Sequence, residues 1–136
     1  MSYDLDRFVV AQDRVFEQVV QEITNGRKRG HWMWFVFPQV KGLGKSYMSE
    51  KYGLSGVDEA NAYFKYPVLG ERLLRLSNQL LSHSDKSIVS ILGRPDNMKL
   101  KSSMTLFEAA TCQAVFVEVL EAFFDGKRCA RTQKAI

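Results

Sequence analysis

Apolar residues recur at three- and four-residue steps along most of this chain, and no pair of alternating, strand-like runs is evident anywhere in it. That spacing lines apolar side chains along one face of a helix, so the core has to be built by packing helices on helices. Leu5, Phe8, Val9, Val15, Phe16, Val19, Val20 and Ile23 form one such stripe. With Asp4 as N-cap and Gly26 as the stop, it predicts a long first helix over about 5–25. Val68, Leu69, Leu73, Leu76, Leu80 and Leu81 form another, with Pro67 in its first turn. A third runs through Val115, Phe116, Val119, Leu120, Phe123 and Phe124 to Gly126, with Thr111 as cap. Shorter helices are expected over 46–52, 55–65, 85–92 and 97–110, with Ser55 and Asp58 or Glu59 near capping-box spacing and Asp96 as cap of the last. The segment His31 to Phe37 is apolar on every side; lacking a partner strand, it reads as a short helix ended by Pro38. The expected architecture is all-α, a single compact bundle of six to eight unequal helices in one domain over 1–136, with a loosely ordered tail at about 127–136.

Composition narrows the class of protein. A chain of 136 residues with 46% hydrophobic and 25% charged residues is that of a globular domain with one core. The longest uninterrupted apolar run, Trp32 to Pro38, falls far short of the roughly 20 residues that span a bilayer. Residues 1–26 lack the basic start, apolar stretch and cleavage site of a signal peptide, so a cytoplasmic protein without membrane attachment is expected. Cys112 and Cys129 have neither CxxC spacing nor a histidine at ligand spacing, which gives no metal signature and implies no cofactor. Cys112 reads as a small core residue and Cys129 as a free surface thiol.

Charge is unevenly spread. The net charge is +4, yet segment 27–51 alone sums to +5 and 94–101 to +2. Segment 27–46 also holds both tryptophans and one of the two histidines. If these two joints meet, they form an electropositive concavity suited to phosphate or carboxylate; otherwise they are solvated cations placed after helix C-termini.

Gly42-Leu43-Gly44-Lys45-Ser46 ends like a phosphate-binding P-loop, but that loop needs a glycine five residues before Gly44, and the position is Gln39. What survives is a weaker anion site, with two glycines allowing close backbone approach and Lys45 and Ser46 opening a helix. His31 is the candidate general acid or base. Trp32 and Trp34 offer flat faces to a ring, against the alternative that they are core. Lys99, Ser102 and Ser103 form a second cluster able to hold anionic oxygens, against the alternative that the serines permit close helix packing.

Several blocks together resemble one known family. They are Asp4-Leu5-Asp6-Arg7-Phe8, Gly26-Arg27-Lys28, His31-Trp32-Met33-Trp34-Phe35 with Phe37-Pro38-Gln39, and Gly42-Leu43-Gly44 with Ser46. Tyr52-Gly53, Pro67-Val68-Leu69-Gly70 with Arg72-Leu73, and Ser102-Ser103-Met104-Thr105-Leu106-Phe107 complete the set. The chain resembles the domain-of-unknown-function family 1810, small bacterial and fungal proteins sometimes labelled calpastatin. The resemblance implies a mainly helical single domain and no assigned activity. It carries one departure, Cys129, where the family tends to have an acid.

Two functions compete. In the first, a nucleotide or phosphorylated metabolite binds beside Trp32 and Trp34. Arg27, Lys28, Lys45 and Lys99 supply charge, Gln39, Ser46, Ser102 and Ser103 supply hydrogen bonds, and His31 supplies acid-base chemistry. In the second, the chain is a non-enzymatic interaction module whose basic face engages nucleic acid or an acidic protein.

Overall fold

The computed structural model describes residues 3–136, and the described residues form ten helices, more than the six to eight expected. They are α1 (Asp6–Asp13), α2 (Phe16–Thr24), α3 (Met33–Val36), α4 (Tyr47–Lys51), α5 (Val57–Lys65), α6 (Leu69–Leu81), α7 (Ile88–Leu92), α8 (Asp96–Thr111), α9 (Ala114–Phe124) and α10 (Ala130–Ala135). No helix among them is long and apolar enough to cross a membrane.

Two corrections account for the extra helices. The stripe over 5–25 is not one helix, because Val15 leaves the helical region at φ −132°, ψ 2° and its N–H turns back to the Gln12 carbonyl. The break lets each half meet a different neighbour, α1 lying on α3 and α2 on α6. It is pinned by Gln12, a buried amide that donates to the Phe35 carbonyl (2.7 Å) and to the Tyr63 hydroxyl (2.8 Å). The tail is not loose either. It folds into α10, with Thr132 wholly buried, while Arg128 clamps Glu108 through two bonds of 2.9 and 2.7 Å. A six-residue polar helix has no apolar stripe to announce it; side-chain hydrogen bonds hold it in place.

Helix α8 runs through the centre, packed by α5, α7, α9 and α10. Residues 102–107 are buried without interruption, so this helix is covered on all sides in its middle. Its small Ser102, Ser103 and Thr105 allow neighbours to approach, while Leu100, Met104, Leu106 and Phe107 fill the core. Phe107 continues an aromatic chain through Tyr63 to Phe8 on one side and meets Phe116 on the other.

The loop after α3 is tied down by a parallel bridge between Val40 and Leu54. Lys41 N–H donates to the Leu54 carbonyl at 2.7 Å, and Leu54 N–H to the Gln39 carbonyl at 2.9 Å. Gly53 makes this approach possible, since a Cβ there would come within 2.8 Å of the Lys41 Cα. Caps differ from expectation in detail. Ser46 does cap α4 through Ser49 N–H, and Glu59 accepts from Ser55 N–H, but Asp96 and Thr111 do not cap the helices assigned to them. Asp96 lies inside α8 and turns its carboxylate to lysines instead.

Candidate functional site

The site begins with one buried carboxylate. Glu22 Oε1 accepts hydrogen bonds from Arg29 N–H (2.7 Å), Gly30 N–H (2.9 Å) and the Trp32 indole Nε1 (2.9 Å), and Oε2 accepts from Gln18 (2.7 Å). Burial by itself would raise its pKa, but these four donors outweigh the desolvation and hold it at about 2. The fixed carboxylate folds segment 27–32 back over α2. Gly30 belongs to this design, because a Cβ would meet Gln18 Nε2 at 2.5 Å.

The consequence for the tryptophans is a division of labour. Trp32, 1% exposed, is core, held by its indole N–H, and does not wall a ligand pocket. Trp34, two residues on and half-buried, lines the surface beyond. His31 between the anchored residues is turned outward.

Segment 27–34 then meets the start of α8. Lys28 N–H donates to the Ile91 carbonyl at 2.7 Å, and its ammonium lies 2.8 Å from Asp96 Oδ2. Asp96 Oδ1 lies 3.3 Å from Lys99 Nζ, and Lys99 Nζ sits 4.6 Å above the Trp34 ring. Asp96, Lys99 and Ser102 follow one another at three-residue steps on α8 and so share a face. Both basic joints of the sequence are therefore neighbours in space.

Two cavities flank this contact and share Pro95 and Lys99 as a common wall. One, of about 350 Å³, is lined by Lys28, His31, Trp34, Arg94 and Asp96 among others. The other, of about 260 Å³, is lined by Gln39, Gly44, Met98, Ser102, Cys129 and Arg131. Arg131 is fixed to the loop after α3 by an Nη2 hydrogen bond of 2.9 Å to the Leu43 carbonyl. Ser102 and Thr132 hydroxyls are 2.7 Å apart beneath it. Cys129 is half-buried here, and Cys112 is the exposed thiol, the reverse of the expected placement. Burial pushes the Cys129 thiol up, yet hydrogen bonds from Thr132, from the backbone of Thr132 and Arg131 and from Ser102 outweigh it, leaving its pKa below the ordinary thiol value.

The structure thus brings together His31, Trp34, Gln39, Lys99 and Ser102, with Lys28 already ion-paired. It leaves others outside. Arg27 and Lys45 are exposed and line neither cavity, and the Ser46 hydroxyl is occupied in capping its own helix. Ser103 is wholly buried and its hydroxyl meets no partner, a packing residue of α8. Sequence reasoning missed Arg94, Asp96 as a lysine partner, Cys129 and Arg131. The three-residue spacing from Asp96 to Ser102 was a usable signal for Asp96; Arg131 had none, since it depends on how the tail docks.

A larger concavity of about 590 Å³ lies between α1, α3 and α4, but Asp4 and Asp6 offset most of the charge of Arg7, Arg14 and Lys51 there. Its Arg7 is already engaged by the Lys51 and Gly53 carbonyls and by Glu59. No group of three or more His, Cys, Asp or Glu among the described residues is arranged to hold a metal ion. Chemically, the Lys99 region suits recognition of anionic oxygens beside a flat ring.

The family model described as "Protein of unknown function (DUF1810)" matches residues 2–136. Among solved structures, the chain is similar to the conserved hypothetical protein Rv1873 from Mycobacterium tuberculosis. The two are 46% identical with a TM-score of 0.97, over 98% of this chain and 96% of that one. No curated protein matches.

Proposed function

The chain belongs to the DUF1810 family of proteins of unknown function, and from that premise we propose that it binds a small anionic ligand, a nucleotide or phosphorylated metabolite, at the paired cavities around Lys99. The observation that carries this reading is the position of Lys99 in the wall common to both cavities, with Arg94 in one and Arg131 in the other. Cations gathered on concave walls focus potential and hold anionic oxygens better than the same charges on a convex surface. Trp34 supplies an apolar plate beside them, and His31 stands where it can donate a hydrogen bond or a proton to the ligand.

The competing reading, a basic face that engages nucleic acid or an acidic protein, draws less support. Of the cations it could use, Arg27 and Lys45 are exposed, but Lys28 is spent on Asp96, and Arg94, Lys99 and Arg131 line recesses rather than a continuous face. A thermal-shift screen of nucleotides and phosphorylated metabolites tests the proposal. A ligand at 100 times its Kd adds about 2.7 kcal/mol, and that gain should vanish in Lys99→Ala. Absence of any shift across the screen, together with retention of RNA or DNA that weakens steeply with salt, would replace the first reading by the second.

A further inference from the structure

The paired cavities carry more information than the sign of their charge. The cavity of about 350 Å³ is near the lower end of the ~300–1,000 Å³ range of small-molecule sites and the one of about 260 Å³ is below it, whereas the two together fall well inside it. Their common wall is narrow in chemical terms: Pro95, which has no N–H, and Lys99, whose ammonium is held over Trp34 and 3.3 Å from Asp96. Each cavity also has its own arginine away from that wall. Arg94 precedes α8, and Arg131 is carried by α10 and braced on the Leu43 carbonyl.

Two arginines in separate recesses with one lysine between them match a ligand with two separated anionic groups. A single phosphate would engage one arginine and leave the other recess to water.

Resting on the anion-binding reading above, we infer that the ligand is a bis-anion that straddles Lys99, one phosphate-like group against Arg94 and the other against Arg131. Asp96 contributes to selectivity. It neutralises part of the charge of Lys28 and Lys99, so a lone anion gains less at Lys99 than it would at an unpaired lysine. A bis-anion gains at both arginines, and the second contact forms within an already bound molecule at a high effective concentration.

Linear alkylene bisphosphonates of increasing chain length, each compared with the alkylphosphonate of matching length, test this by isothermal titration calorimetry. The expected result is an affinity maximum at one chain length, at least about tenfold tighter than the matched monophosphonate. One bisphosphonate should bind per chain, against two monophosphonates. Arg94→Gln and Arg131→Gln, both changes of exposed side chains, should each reduce the best bisphosphonate to the level of its monophosphonate. Monophosphonates that bind, with bisphosphonates no tighter at any length, overturn the bis-anion inference and leave the anion site standing. No binding by any phosphonate, nucleotide or phosphorylated metabolite overturns both.

Discussion

Two polar clusters meet along segment 27–34 and face opposite fates. Around Glu22, every donor has its acceptor: four hydrogen bonds converge on one buried carboxylate, one of them from the buried indole of Trp32. Around Lys99, the cations outnumber the one carboxylate among them, and they line open recesses. The first cluster holds the second in place, since the fold of 27–32 over Glu22 delivers Lys28, His31 and Trp34 to α8. A satisfied polar network acts as structure, and an unsatisfied, half-exposed one is available to a ligand.

The contrast can be broken most forcefully at Glu22. Glu22→Ala should cost about 3 kcal/mol in urea unfolding, because the buried Trp32 indole and the part-buried Arg29 and Gly30 N–H groups lose their acceptor together. The same carboxylate sets an acid dependence. Its folded pKa of about 2 lies below its free value of 4.5, so the unfolded chain takes up this proton first. Stability from Glu22 is therefore fully present above pH 4.5 and is lost as pH falls toward 2, about 3 kcal/mol in all. Urea midpoints measured across that window should fall in the native protein and stay flatter in Glu22→Gln.

The tryptophans sharpen the comparison at smaller cost. Trp32→Phe removes a buried indole with its hydrogen bond and should destabilise by about 1–3 kcal/mol. Trp34→Phe, at the half-buried position, should cost less than about 1 kcal/mol. Equal losses at the two positions, read from urea midpoints, would erase the distinction. Lys99→Ala should change stability by no more than about 1 kcal/mol, because its ion pair with Asp96 is partly solvated and competes with Lys28. The same variant should abolish ligand-induced thermal shifts, so a folded protein without ligand response is the expected pair of readings. The smallest effect concerns Cys129, whose alkylation by iodoacetamide should follow a pH profile displaced below that of free N-acetylcysteine. Peptide mapping by mass spectrometry separates it from exposed Cys112.

Much of the fold was legible. The stripes predicting helices over 67–82, 97–110 and after Thr111 correspond to α6, α8 and α9, since helix spacing is a property of residues three and four apart. The break at Val15 was not, because the apolar stripe continues across it and only the burial of Gln12 against Phe35 and Tyr63 explains the bend. His31, Trp34, Gln39, Lys99 and Ser102, singled out by residue type and clustering, do line the two cavities. Trp32 and Ser103 fit the same chemical pattern and are core, because the direction a side chain faces depends on partners elsewhere in the chain.

By itself, then, the sequence determined that the chain is helical, where most helices lie, and which two basic joints could make a site. All of these follow from short-range periodicity and composition. Tertiary structure alone decided that the joints meet, through Lys28 and Asp96, and that the tail docks as α10 to bring Arg131 to Leu43. The physical reason is range. Helix formation is governed by neighbours within a turn, whereas the burial of Glu22 and the sharing of Lys99 between two cavities arise from contacts between distant residues, which no local pattern encodes.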